Sequence, residues 1–211
     1  EALAQKDLAY ARATLELCSD QGIRILTCQD EQYPQRLLAI DCPPLVLYYR
    51  GTLLDFDELP VVTVVGSRNA SAYGLAVARK MGNQIGACGG VVVSGAAKGI
   101  DSQSLEGALE AGGYVAAVLG NGLDIIYPKS SESVYQAVVN HGCLISEFAP
   151  GTPPRGRNFP QRNRIMSGLA LGVLVVEAAK QSGSLITAGL ALEQGRDVFA
   201  VPGNIGIPSC E

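Results

Sequence analysis

The sequence has no tryptophan and one histidine, His141, among 211 residues. A single histidine leaves His-rich metal sites and multi-histidine acid–base catalysis without their usual groups. No apolar run approaches the roughly 18 residues that a membrane span requires, so no span is expected. Six cysteines occur (Cys18, Cys28, Cys42, Cys88, Cys143 and Cys210), yet none forms a Cys-x-x-Cys pair. That removes the common zinc and thioredoxin-like spacings. The start, Glu1-Ala2-Leu3-Ala4-Gln5-Lys6-Asp7, is not a signal peptide. Free thiols in a reducing cytoplasm are therefore expected over disulfides.

What is present suits a packed domain: 47% hydrophobic and 17% charged residues, in a chain long enough for one large domain or a domain with an appendage. The formal charge of −4 on its own argues against nucleic acid, whose phosphates attract Lys and Arg. The charge is uneven, however. Residues 1–60 carry five basic and ten acidic side chains, net −5, whereas residues 61–211 carry eleven and ten, net +1. The stretch 148–176 holds Arg155, Arg157, Arg162 and Arg164 and no acid. A local positive patch is compatible with an acidic whole.

The apolar stripe Leu3, Leu8, Ala11, Leu15 and Cys18 predicts a helix over 3–22. Strands are expected at 23–28 and 45–50, a short helix at 33–38 and an acidic linker at 52–60. From residue 61 strands and helices alternate. Strands are expected at 61–65, 91–93, 114–119, 143–147, 172–177 and 198–201. Helices are expected at 73–87, 101–111, 130–140, 164–170 and 185–194, with a loop over 149–161. The continuous run Val61-Val62-Thr63-Val64-Val65 suits a strand buried on both faces. The alternation predicts an α/β fold, an extended Rossmann-like, doubly wound and mostly parallel sheet, preceded by a small helical segment. The expected division is 1–22 helical segment, 23–60 strand-containing extension and linker, and 61–211 Rossmann-like domain.

In such sheets ligands bind beyond the carboxyl ends of the strands. There the sequence places Gly66-Ser67-Arg68, Ser94-Gly95-Ala96-Ala97-Lys98-Gly99, Gly120-Asn121-Gly122 and Lys180-Gln181-Ser182-Gly183-Ser184. Glycine turns expose backbone N–H groups and helix N-termini, both favourable to phosphate. Arg68, Lys98 and Lys180 add cations, and Ser67, Ser94, Ser182 and Ser184 add hydroxyls. Lys180 has Glu177 as an alternative partner. Neither the Gly-x-Gly-x-x-Gly fingerprint nor the Gly-x-x-x-x-Gly-Lys-Ser/Thr loop is present, which leaves room for a polymer backbone. Arg155-Gly156-Arg157-Asn158-Phe159-Pro160-Gln161-Arg162-Asn163-Arg164 interleaves arginines with an aromatic and two asparagines, groups that stack on unpaired bases and bond phosphates. Phe159 is either such a stacking surface or a core anchor for the loop. Asp101 is expected to cap a helix, Glu147 to pair with Arg155 or Arg157, and Asp124 has no assignable role. No Ser/His/Asp or Cys/His set is evident.

Taken in order, these loops resemble the DNA-processing protein A family (DprA, also called Smf). The matching stretches are Val64-Val65-Gly66-Ser67-Arg68, Val93-Ser94-Gly95-Ala96-Ala97-Lys98-Gly99-Ile100-Asp101, Leu119-Gly120-Asn121-Gly122-Leu123-Asp124-Ile125-Ile126-Tyr127-Pro128, Ile145-Ser146-Glu147, Phe159-Pro160-Gln161-Arg162-Asn163-Arg164-Ile165, Ser182-Gly183-Ser184-Leu185-Ile186-Thr187-Ala188 and Val201-Pro202-Gly203-Asn204. The resemblance implies a cytoplasmic, non-enzymatic, homodimeric single-stranded DNA-binding protein of natural transformation. Such a protein protects incoming DNA and loads the RecA recombinase, with no cofactor or metal. It implies Arg68, with Gly66 and Ser67, as DNA contacts, joined by Lys98, Arg162, Arg164 and Lys180 and by Arg155 and Arg157. Phe159, Asn163, Ser182 and Ser184 complete the expected site. Two departures stand out. Family members commonly begin with a small helical domain, of which residues 1–22 are expected to be only the last helix. They usually continue beyond the Pro-Gly-Asn motif, so this chain is expected to be C-terminally truncated. The alternative reading is a nucleotide-binding or nucleotide-cleaving enzyme of the lysine-decarboxylase-like group. Those enzymes carry Pro-Gly-Gly-x-Gly-Thr-x-x-Glu where this chain has Lys180-Gln181-Ser182-Gly183-Ser184-Leu185-Ile186-Thr187, without the glutamate.

Overall fold

A computed structural model describes residues 8–203. Residues 3–7 of the expected first helix, and Asn204 and Cys210, lie outside that range. The Val-rich run Val61–Val65 forms β3, and its neighbours in space are also short apolar strands: β4 (Val91–Ser94), β5 (Val115–Leu119), β6 (Gly142–Ser146), β7 (Gly172–Val175) and β8 (Asp197–Ala200). All six run parallel. Before them come α1 (Leu8–Asp20), β1 (Arg24–Thr27), α2 (Gln35–Leu38) and β2 (Val46–Gly51). Between the parallel strands lie α3 (Ala72–Ala87), α4 (Ile100–Glu110), α5 (Glu132–His141), α6 (Asn158–Leu169) and α7 (Gly183–Glu193). The five described cysteines are free thiols.

The eight strands make one sheet in the order β1-β2-β6-β5-β4-β3-β7-β8. Alternate strand residues enter two cores. Val61, Val65, Val93, Val118 and Ile145 pack on the side of α6, with Ile165, Met166 and Leu169. Val64, Val92, Ala117 and Leu144 pack on the side of α3, α4 and α5, with Ala78, Leu105 and Val138. Helices on both faces of a mostly parallel sheet make this an extended Rossmann-like, doubly wound α/β fold. The chain moves outward from β3 through β4 and β5 to β6, then returns to place β7 and β8 on the other side of β3. The reversal falls between β3 and β7, and there the loops after these strands part to leave a crevice.

Residues 24–51 extend this same sheet. β2 pairs antiparallel with β6, and β1 with β2. Residues 52–60 are more than an acidic connection: Leu54 and Phe56 are buried in the core that holds Tyr33, Leu37 and Ile165. The loop expected over 149–161 ends earlier, because α6 begins at Asn158. Pro160 stands in its first turn, where a missing N–H removes no intrahelical bond. The Thr63 hydroxyl donates to the Met166 carbonyl at 2.7 Å, tying α6 to the middle of the sheet.

α3 and α4 meet through glycines. A Cβ at Gly82 would strike the Ser104 carbonyl, and one at Gly107 the Arg79 carbonyl. Gly82→Ala is therefore expected to push the helices apart and cost about 2 kcal/mol. It would be read as a lower urea midpoint with the slope unchanged.

Candidate functional site

The crevice begins at the turn after β3. A Cβ at Gly66 would lie 2.5 Å from Ile100 Cγ1, so glycine lets the turn pack on the start of α4. The Ser67 N–H donates to the Glu177 carbonyl (2.7 Å) and the Ser67 carbonyl accepts from the Ile100 N–H (3.2 Å). The turn is thus held between the end of β7 and the start of α4, and Arg68 projects from it, exposed. Its guanidinium carbon lies 5.4 Å from the centroid of the Phe159 ring. Phe159 also stacks with Tyr127 (centroids 5.7 Å apart, planes at 29°) and presses on Gly120, where a Cβ would come within 2.7 Å of its ring. Phe159 therefore anchors its segment and presents an aromatic face under a cation.

The cleft itself measures ≈540 Å³. Gly66, Ser67, Arg68, Phe159, Arg162, Asn163, Ser182 and Ser184 all line it, as expected from the sequence, together with Tyr127, Asp101 and Thr187. The N-terminus of α7 opens onto it at Ser182, Gly183 and Ser184, with no acid in the first turn. The Ser182 and Ser184 hydroxyls share a 2.6 Å hydrogen bond, and Asn163 Nδ2 donates to the Gly183 carbonyl at 3.2 Å. Among the described residues, the buried Thr187 hydroxyl and Arg162 Nε have no hydrogen-bond partner.

Asp101 and Arg162 belong to the floor, and both are almost fully buried (8% and 4% exposed). They face each other across Gly95: a Cβ there would lie 2.5 Å from the Arg162 Nη atoms and 2.6 Å from Asp101 Oδ2. Arg162 Nη1 donates to the Val118 carbonyl, and Asp101 accepts from the Ala97 N–H at 3.4 Å. Burial pushes the Asp101 carboxyl up to about 6, opposed by the charge of Arg162, the Ala97 N–H, the charge of Arg68 and the Gly95 N–H. Burial also pulls Arg162 down to about 10, opposed mainly by Asp101. At neutral pH the pair is ionised, and Arg162 supports the cleft from below. Asp101 is not the cap of α4, a position held by Gly99.

The remaining expected residues lie elsewhere. Lys98 lines a second groove that shares Arg68 and Asn69 with the cleft. Arg155 and Arg157 are exposed and flank Gly156, which is on the cleft wall. Arg164 points away: it is ion-paired with Glu147 and donates from Nε to the Cys42 carbonyl at 2.9 Å. The expected pairing of Glu147 with Arg155 or Arg157 is thus corrected, because α6 turns Arg164 toward the end of β6. Ser94 is buried and donates to the Val64 carbonyl (2.7 Å) within the sheet, so its hydroxyl is spent on strand pairing. Lys180 is exposed and outside the cleft lining. Glu177 accepts from the Ser71 hydroxyl (2.6 Å) and N–H at the start of α3. Asp124 accepts from the Gly151 N–H at 2.9 Å, pinning the 149–151 loop. Tyr127 was a readable signal, since an aromatic between two turn motifs after a parallel strand is placed at the ligand end of the sheet.

A family model described as DNA recombination-mediator protein A matches residues 24–211. The chain is 42% identical over 189 residues to the DNA processing protein DprA of Bacillus subtilis, covering 90% of this chain and 64% of that protein. It therefore spans less than two thirds of that relative's length. An X-ray structure of DNA processing protein A from Streptococcus pneumoniae matches with a TM-score of 0.88 and 40% identity, over 97% of this chain and 70% of that one. A structure of DNA processing protein A from Helicobacter pylori, described for its single-stranded DNA binding mode, matches with a TM-score of 0.81 and 27% identity, over 89% and 84%. With its fold, its ordered loop motifs and these matches in agreement, the chain belongs to the DNA recombination-mediator protein A family.

Proposed function

We propose that this chain binds single-stranded DNA in the cleft between the β3 and β7 loops. The observation that carries this reading is exposed Arg68 over the Phe159 ring, which itself stacks with Tyr127, in one cleft with the acid-free N-terminus of α7. A cation and a helix N-terminus suit phosphate, and aromatic faces suit unpaired bases. The binding mode described for the H. pylori relative supports the same ligand class. In this reading the protein is a cytoplasmic homodimer acting in natural transformation, without catalysis, protecting the incoming strand and loading RecA recombinase onto it. Among the described residues no helix is long and apolar enough to cross a membrane.

A mobility-shift titration with poly-dT and a duplex of equal length tests the reading. Single-stranded binding is expected to be the tighter and to weaken steeply between about 50 and 200 mM salt as counterions are released. Equal affinity for the duplex, or no shift at the lower salt, would sink it. One feature favours a rival, a nucleotide-cleaving enzyme: Asp101 lies in the cleft with its carboxyl pushed up to about 6, within the range of a general acid or base. Incubation with nucleoside monophosphates separates the two, base release favouring the enzyme.

A further inference from the structure

We propose that the groove on the far side of the β3–α3 turn is a second seat for the same DNA strand, and that it takes the sugar–phosphate backbone without the bases. The inference rests on the cleft being a single-strand site and names where the strand goes on leaving it. The groove measures ≈530 Å³, close to the ≈540 Å³ of the cleft. Arg68 and Asn69 line both, so the turn is a ridge between two troughs. The ridge is held by hydrogen bonds from Ser67 to the β7 end and the α4 start, which keeps Arg68 at the crossing point.

The groove's chemistry differs from that of the cleft. Lys98 and Ser130 are exposed in it, beside the first turn of α4, where the Ser102 hydroxyl donates to the Ala97 carbonyl at 2.7 Å. Among the described residues neither Arg68 nor Lys98 is in a salt bridge. The acid on its lining, Glu106, is already engaged by Arg79 and Gln103, each at 2.9 Å. Arg68, Lys98 and Ser130 therefore face the groove, while its one carboxylate, Glu106, is held at the far end by Arg79, which also pairs with Glu110. No aromatic ring lines it, whereas Tyr127 and Phe159 line the cleft. Bases have stacking partners on one side of the ridge only. A backbone with one negative charge per nucleotide has cations on the ridge and beyond it. A single nucleotide would be satisfied by the cleft, and a polymer needs a charged way out.

The test is fluorescence anisotropy with labelled (dT)3 and (dT)12 at about 50 mM salt. The proteins compared are the parent chain, Lys98→Ala, and the double variant Arg155→Ala/Arg157→Ala on the other rim. The parent is expected to gain affinity from (dT)3 to (dT)12. Lys98→Ala is expected to forfeit roughly fivefold of that gain, the size of one screened phosphate contact, and to show a shallower salt dependence with (dT)12. The double variant is expected to keep the Lys98-dependent part of the gain. Loss of that part in the double variant, a gain unchanged in Lys98→Ala, or equal weakening on both lengths would overturn the second seat. A parent that binds (dT)3 as tightly as (dT)12 would leave the cleft standing and remove the groove. A parent that binds neither oligonucleotide would remove the cleft reading and the groove with it.

Discussion

Replacing Arg162 with methionine is expected to destabilise the fold by about 3–5 kcal/mol at pH 8, because it strips the countercharge from a buried carboxylate. The loss should be clearly smaller at pH 5. Asp101 ionises only near 6 with Arg162 in place, and without that cation its carboxyl rises further. At pH 5 it is then neutral and has little need of a partner. The sign follows from linkage. A carboxyl raised in the fold above its ordinary 3.8 gives stability that is full below that value and lost as pH rises through about 6. Over that interval the parent loses about 3 kcal/mol from this group alone. In Arg162→Met the interval moves upward and the loss grows. Urea unfolding at the two pH values measures both, and equal destabilisation at pH 5 and pH 8 would show that Asp101 is not what Arg162 holds. Both members of the pair are shifted toward neutrality by burial, so the pair costs stability on balance. What it secures is a rigid, charged floor beneath the cleft, with Gly95 admitting both groups to its α-carbon.

Arg68→Ala is expected to weaken binding of (dT)12 by about ten- to a hundredfold at low salt, the range for a charged hydrogen bond to phosphate. It should also make the logarithmic salt dependence shallower by about 0.7 for each phosphate contact removed. Phe159→Leu should act differently. Loss of base stacking is worth about 1–3 kcal/mol, yet no cation is removed, so the salt slope should stay the same. Leucine keeps apolar bulk against Gly120, where the phenyl ring now packs, so the segment remains anchored. Anisotropy titrations of both variants over 50–200 mM salt separate charge from stacking. An unchanged slope in Arg68→Ala would exclude a phosphate contact, and a slope change in Phe159→Leu would exclude the stacking role.

The two kinds of residue in this site were unequally readable. Gly66, Ser67 and Arg68 were legible because they follow a Val-rich run whose burial on both faces marks a parallel strand, and the end of such a strand is where ligands go. Ser182 and Ser184 were legible for the same reason after β7. The four arginines of 155–164 were not, because an exposed binding arginine and a buried supporting one look alike in sequence. The helix that begins at Asn158 separates them. Arg162 turns inward to Asp101, Arg164 outward to Glu147, and Arg155 and Arg157 remain in solvent before the helix starts. Asp101 looked like a cap because it stands near a helix start, and only its burial across Gly95 from Arg162, 61 residues on, shows otherwise.

By itself the sequence determined the alternation of strand and helix, the Rossmann-like class and the turns that bear the cleft-lining groups. Those are local properties, set by runs of β-branched residues, by glycine and by periodicity. The tertiary structure alone decided that the sheet reverses between β3 and β7, which brings Arg68, Phe159 and Ser182 to one cleft. It also decided that β1 and β2 join the same sheet, and that Lys98 stands across a ridge from the cleft. Each depends on contacts between residues far apart in the chain. Burial there decides whether an arginine meets a ligand, a carboxylate or the inside of the protein.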